Sequence, residues 1–128
     1  MQSRIVICVL ALLIIIQSCA VPFRGGPSQE EMARADFGPA PDDVEKTILA
    51  WMEEVLYDPI SAKMEILSPP EKSWWGNTGA LMVPREIHYC WLVKTRILAK
   101  NKMGGYIGWK PYHFYFRDGK IEYYQTTT

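Results

Sequence analysis

The spacing of apolar residues between positions 42 and 58 predicts an amphipathic helix. Apolar side chains recur at offsets of three and four, which places them on one side of a helix, while charged residues fill the opposite side. Asp42 is placed to cap the first turn, with Glu45 as the reciprocal acid. Pro59 disfavours helical geometry in the residue before it, so the helix should end by Tyr57–Asp58. The apolar positions are Val44, Ile48, Leu49, Trp51, Met52, Val55 and Leu56.

Beyond the helix, alternation of apolar and polar side chains predicts strands. Asp118-Gly119 is a strong signal for a two-residue hairpin, and Asn101–Gly105 supplies another turn. Ser68–Pro84 contains three prolines, two glycines and the pair Trp74-Trp75, and this composition predicts a long loop. The predicted strands are Lys63–Leu67, Glu86–Leu98, Tyr106–Arg117 and Lys120–Gln125.

The helix and the strands together predict an α+β fold in a single domain over residues 42–128. One N-terminal amphipathic helix packs on an antiparallel meander of about four strands, because the apolar face of the helix has to cover one face of the sheet. The other face then carries the alternate side chains of each strand. On the strand Glu86–Leu98, His88 and Cys90 share one face, opposite to Tyr89 and Trp91.

The first nineteen residues have the pattern of an export signal that ends at a cysteine. Residues 5–16 are twelve consecutive apolar residues. A membrane-spanning helix needs about 20, whereas the core of a signal peptide has about 7–15. The stretch Ile16-Gln17-Ser18-Cys19 resembles the lipobox of bacterial lipoproteins. This resemblance implies that the signal peptide, residues 1–18, is removed and that Cys19 carries a diacylglyceryl lipid. The alternatives are an uncleaved signal anchor or a secreted protein cut near Ala20.

The segment after the lipobox has the composition of a linker. Residues 20–41 contain four prolines and three glycines, so residues 19–41 are predicted to form a lipid-anchored flexible tether. Ser28 and Glu31 have capping-box spacing, which predicts one or two helical turns over 29–35. Ala20, rather than Asp, follows the lipidated cysteine. In a Gram-negative cell, the sorting preference of such lipoproteins then favours the outer membrane, with the domain facing the periplasm.

Charge and cysteine content narrow the possible partners. The formal net charge is zero, so no basic surplus attracts nucleic acid. The glycine-rich turn at 101–105 is not followed by the helix of a phosphate loop, so no nucleotide partner is predicted. Of the three cysteines, Cys90 is the one in the predicted domain, which leaves no partner there for an intramolecular disulfide.

Histidine and cysteine side chains are the candidates for chemistry, and tryptophans are the candidates for binding. His88 and Cys90 have no evident third group to orient them, and they and His113 lack metal-ligand spacing. No catalytic residue, metal or cofactor other than the lipid at Cys19 is therefore predicted. Exposed aromatic residues mark interaction surfaces, and Trp74, Trp75 and Trp109 are the candidates for binding a partner. The alternative is that the long loop folds over the sheet, with Trp74 and Trp75 as a plug.

Three stretches resemble those of a group of small bacterial lipoproteins of unknown function. They are Ala35-Asp36-Phe37-Gly38-Pro39, then Tyr57-Asp58-Pro59-Ile60-Ser61-Ala62-Lys63, then Asn101-Lys102-Met103-Gly104-Gly105-Tyr106-Ile107-Gly108 with Lys110-Pro111-Tyr112. The resemblance implies the membrane anchor and the fold, and it assigns no catalytic residues. The predicted function is that of a membrane-anchored cell-envelope lipoprotein, a non-catalytic interaction or structural module whose partner is another envelope protein or cell-wall material. A small-ligand carrier or an enzyme using the sheet face is the alternative.

Overall fold

A computed structural model describes residues 25–79 and 82–127. The predicted signal peptide and the lipidation site Cys19 lie outside these residues. The described chain is an α+β fold with two helices and a five-stranded antiparallel sheet. Within it, neither helix is long and apolar enough to cross a membrane. The elements are α1 (Gln29–Arg34), α2 (Val44–Val55), β1 (Lys63–Ile66), β2 (Glu71–Asn77), β3 (Glu86–Lys100), β4 (Tyr106–Arg117) and β5 (Lys120–Thr126).

Strand β3 is the centre of the sheet. Strand β4 pairs with one side of β3, and β5 pairs with the far side of β4. The other side of β3 is shared end to end by two short strands. Strand β1 pairs with residues 95–98 and β2 with residues 86–92. The sheet therefore contains five strands but is only four strands wide.

The prediction of a long loop over Ser68–Pro84 is wrong in part, because this stretch contains strand β2. The sheet therefore has five strands rather than about four. Glu71–Asn77 has no alternation of apolar and polar residues, because two tryptophans stand side by side among polar neighbours. Its conformation is held by a ladder of seven residue pairs with β3, which the local pattern does not reveal. Pro69 and Pro70 separate β2 from β1, since proline cannot donate to the ladder.

Helix α2 covers one face of the sheet. Trp51 makes edge contacts with the rings of Phe114 and Tyr124, with centroids 4.9 and 4.8 Å apart. The amphipathic pattern therefore predicted the buried side of this helix correctly at Val44, Ile48 and Met52, whereas the predicted Leu49 and Val55 are exposed at its edge. Its buried core with the sheet consists of Val44, Ile48, Met52, Val93, Ile97, Phe114 and Phe116.

The start of α2 differs from the prediction. The N-cap is Asp43 rather than Asp42, and its side chain makes no capping hydrogen bond. The hydroxyl of Thr47 instead donates to the backbone carbonyl of Asp43 at 2.9 Å. The acidic residues at this end still lie next to the positive end of the helix dipole.

The capping box in the N-terminal segment is confirmed and begins a second helix, α1. The Ser28 hydroxyl accepts from the backbone N–H of Glu31, whose carboxylate accepts from the backbone N–H of Ser28 at 2.7 Å. The same carboxylate binds the Arg85 guanidinium at 2.8 Å. The Arg85 hydrogen bond is the main reason that the pKa of Glu31 is lowered to about 2.

The described part of the predicted tether also packs against the sheet. Phe37 is 4% exposed and makes edge contacts with the rings of Tyr89 and Trp91. The Arg117 guanidinium donates to the backbone carbonyl and to the carboxylate of Asp36. These contacts differ from the flexible tether expected over 19–41, because a buried ring and charge-assisted hydrogen bonds offset the entropy lost on ordering the chain.

Candidate functional site

The face of the sheet opposite α2, called here the open face, is covered by no helix of the described residues. Cys90, Leu92 and Tyr115 on this face are nevertheless 0–7% exposed. Trp75 packs against them from β2. The open face is therefore closed over part of its area by its own side chains.

Three aromatic rings lie nearly parallel across this face. The Trp75 ring is 4.1 Å from His88, at an interplanar angle of 8°, and 4.9 Å from Tyr123, at 18°. His88 is the register partner of Trp75 on β3. Tyr123, however, belongs to β5, and both β3 and β4 separate it from β2 in the sheet. Contact between these rings requires the sheet to curl toward the open face. We call Trp75, His88 and Tyr123 the aromatic stack.

Two carboxylates hold the aromatic stack in place. The Trp75 indole N–H donates to Glu122 Oε2 at 3.1 Å. Glu86 Oε1 lies 2.9 Å from His88 Nε2, and Glu122 Oε1 lies 3.8 Å from His88 Nδ1. Hydrogen bonds to charged acceptors restrict these rings more than packing alone would.

Glu122 reaches the stack because of an irregularity in strand pairing. Phe116 pairs with Ile121, but the preceding Tyr115 pairs with Tyr123. Glu122 is therefore one extra residue on β5, the arrangement of a β-bulge, which re-aims side chains near binding sites. Ile121 packs with the core under α2, whereas Glu122 contacts the open face.

The aromatic stack borders a cleft of about 630 Å³. This volume falls within the roughly 300–1,000 Å³ of typical small-molecule sites. Ser73, Asn77 and Gln125 add polar side chains to its lining. The Gln125 amide donates to the Tyr115 hydroxyl at 3.0 Å, which leaves its carbonyl oxygen as an acceptor for a ligand.

Cys90 lies beneath this cleft, and its environment is unfavourable for a nucleophile. Burial, with a smaller contribution from the negative charge of Glu122, raises the pKa of the Cys90 thiol to about 12. The thiol is therefore protonated at neutral pH, whereas a nucleophile or metal ligand requires the thiolate. Across residues 25–79 and 82–127, no group of three or more His, Cys, Asp or Glu side chains could hold a metal ion.

The three predicted partner-binding tryptophans do not form one surface. Trp74 and Trp75 are neighbours on β2, so their side chains lie on opposite faces. Trp74 lies against the N-terminal segment. Its ring is so close to Gly26 that a Cβ atom at that residue would come within 2.4 Å of Trp74 Cζ2. Trp109 pairs with Leu98, which is ten residues along β3 from His88, or roughly 33 Å.

The sequence prediction did not include Tyr123 or Glu122 among the partner-binding residues, although Tyr123 belongs to the aromatic-rich C-terminal part of the chain. Tyr123 lies in a correctly predicted strand, but its contact with Trp75 depends on the curl of the whole sheet. Glu122 lies on the open face through a bulge that no turn residue in β5 signals. Comparison with protein-family models finds no match, and neither a curated protein nor a solved structure matches the chain.

Proposed function

We propose that this chain is a membrane-anchored lipoprotein of the cell envelope whose folded domain is a non-catalytic interaction module. Cys19 carries the lipid after removal of residues 1–18, and the protein resides in the outer membrane, facing the periplasm. The support for the anchor is the twelve-residue apolar core followed by Ile16-Gln17-Ser18-Cys19. Two or more acyl chains hold a protein firmly on a membrane, whereas one chain binds marginally.

The observation that carries the interaction role is the aromatic stack on the open face. Tryptophan and tyrosine dominate the binding energy of protein interfaces when they are held in well-packed positions. Trp75 and Tyr123 remain partly exposed while their neighbours fix them. The partner is another envelope protein or cell-wall material, which contacts these rings and the polar rim of the cleft.

The anchor is tested by intact mass measurement on protein purified from its native host. We expect a chain that begins at Cys19 with added acyl mass and that floats with outer membranes on a density gradient. A Cys19→Ser variant should lack the acyl mass and leave the membrane fraction. A product that still contains Met1, or that is soluble and unacylated, would contradict the proposal.

The interaction surface is tested by photo-crosslinking in the native host from a photoreactive amino acid placed at Ser73, on the cleft. Trp75→Ala should remove the crosslinked species, because it deletes the centre of the stack. Trp74→Ala is the matched control, since it removes the same side chain from the opposite face of the same strand. Crosslinks that survive Trp75→Ala, or that depend equally on Trp74, would rule out this surface.

The combination of aromatic rings and polar side chains that lines the cleft supports a second candidate, a small-ligand carrier. A ligand would lie against Trp75 and Tyr123 and bind the polar rim at Asn77 or Gln125. Native mass spectrometry of the purified protein tests this alternative. A co-purifying small molecule that is lost in the Trp75→Ala variant and kept in Trp74→Ala would support the carrier over the interaction module.

A further inference from the structure

The connection between β3 and β4 forms a rigid projection at one end of the domain. The backbone N–H of Asn101 donates to the carbonyl of Gly105 at 2.9 Å. The Asn101 side-chain oxygen accepts from the backbone N–H groups of Met103 and Gly105, at 2.9 and 3.0 Å. Gly104 has a φ of 83°, in the left-handed region that favours glycine. The turn is therefore held in one conformation.

This projection displays apolar side chains to solvent. Met103 is 95% exposed, and Tyr106 and Ile107 are about half exposed. Trp109 is 38% exposed and lies under the Arg96 guanidinium, 4.8 Å from its ring centre. Large apolar side chains exposed within seven residues at the end of one hairpin, on both of its faces, mark an interaction surface. We call Met103, Tyr106, Ile107 and Trp109 the tip cluster.

The β3–β4 hairpin carries more basic than acidic residues. Residues 87–117, which are this hairpin without its first residue Glu86, contain no Asp or Glu but carry six Lys and Arg residues. Lys100 pairs with Asp58, and Arg96 with Glu65. Lys102 and Lys110, which flank the tip cluster, are exposed and form no ion pair among the described residues.

We propose that the tip cluster inserts into the headgroup region of an anionic phospholipid bilayer. The projection has aliphatic side chains at its apex, aromatic rings beside them and lysines that flank both. A bilayer has matching layers: hydrocarbon, an interface that favours aromatic rings, and charged headgroups. Lysine stems cover apolar surface while their ammonium groups reach the phosphates.

The inference rests on the proposed lipid anchor, because the nearest bilayer is the one that holds Cys19. The N-terminal segment reaches the sheet at Trp74 and Arg85, at the opposite end of β3 from the tip. Six residue steps separate Cys19 from Gly25, and they span at most about 20 Å. Anchor and tip together therefore attach the domain at two ends, and two signals hold a protein on a membrane more stably than one.

The experiment uses full-length lipidated protein reconstituted into vesicles, with an environment-sensitive NBD fluorophore on an introduced cysteine. Met103→Cys places the fluorophore on the tip. Ala50→Cys is the control, because Ala50 is exposed in the middle of α2, away from both the anchored end of β3 and the tip. Cys90 is buried and does not compete for the label. The vesicles are pure phosphatidylcholine or phosphatidylcholine with phosphatidylglycerol.

We expect the fluorophore at position 103 to shift to the blue in vesicles that contain phosphatidylglycerol, and the fluorophore at position 50 to stay aqueous. Lys102→Gln and Lys110→Gln should each lower the ratio of inserted to free tip about fivefold. Lys120→Gln, an exposed lysine at the other end of the sheet, should not change it.

An aqueous fluorophore at position 103 in all vesicles would overturn the inference, as would equal shifts at positions 50 and 103. Burial of position 103 only when an acidic envelope protein is added to the vesicles would also overturn it, in favour of a protein partner. Failure of the anchor is a separate result, because the protein would then not float with vesicles of either composition.

Discussion

The two faces of the sheet are built from the same strands but are closed in different ways. On the face under α2, Phe114 and Phe116 are fully buried by a twelve-residue helix. On the open face, Tyr115 lies between these two residues in sequence and, among the described residues, is covered by side chains of the strands themselves. Alternation along β4 thus supplies a core on one side and the proposed binding surface on the other. The difference teaches that rigid aromatic groups can stay accessible when neighbouring strands, rather than a helix, fix them.

The largest expected effect comes from breaking the face under α2. Phe114→Ala removes a fully buried ring that contacts Trp51 and Tyr112. We expect the free energy of unfolding to fall by about 3–5 kcal/mol, measured by urea denaturation of the detergent-solubilised protein. If this variant does not fold, Phe114→Leu should show a smaller loss. A loss below that of Trp75→Ala would contradict the assignment of the main core.

A substitution on the open face should reduce the free energy of unfolding less than Phe114→Ala does, but it should weaken partner binding more. Trp75→Ala removes a half-buried ring, its stacking on His88 and Tyr123 and its hydrogen bond to Glu122. We expect a loss of about 2 kcal/mol in the free energy of unfolding together with loss of the crosslinks described above. Trp75→Phe keeps an aromatic ring but not the indole N–H, so an intermediate result in both measurements is expected.

The contact between the N-terminal segment and the sheet should depend on pH, unlike the packing of the two sheet faces. The pKa of Glu31 is lowered from 4.5 to about 2, mainly by the Arg85 hydrogen bond. Since the folded pKa lies below the unfolded value, the stabilisation is fully present above pH 4.5 and is lost as the pH falls toward 2. Protection of the α1 amides, corrected for the intrinsic exchange rate at each pH, should therefore decrease over this window. Glu31→Gln should reduce the dependence, and an unchanged profile in that variant would exclude the pair as its cause.

The smallest expected effect concerns the thiol under the cleft. Because the pKa of Cys90 is about 12, we expect negligible alkylation by iodoacetamide at pH 7 in the folded protein and rapid alkylation in urea. Cys90→Ala should leave the crosslinks from the open face unchanged. Fast alkylation of the folded protein, or loss of the crosslinks, would show that the thiol takes part in the function.

The sequence by itself determined the helix α2, the three long strands and the hairpins that join them. Each of these elements repeats its apolar residues with the period of its own secondary structure, so neighbouring residues carry the information. The capping box of α1 was likewise visible, because both partners lie within four residues. The lipobox-like stretch at Cys19 is equally local, and the anchor that it predicts remains to be tested.

Only the tertiary structure decided the candidate site. Strand β2 forms because it pairs with an edge of β3 that is otherwise unpaired there. As neighbours on this strand, Trp74 and Trp75 lie on opposite faces of the sheet. Trp75 meets Tyr123 because the sheet curls, and Glu122 joins them through a bulge in the pairing of β4 with β5. These contacts join residues about 47 positions apart. Pairing and curvature are properties of the assembled sheet, so no single stretch of the chain contains the information that specifies them.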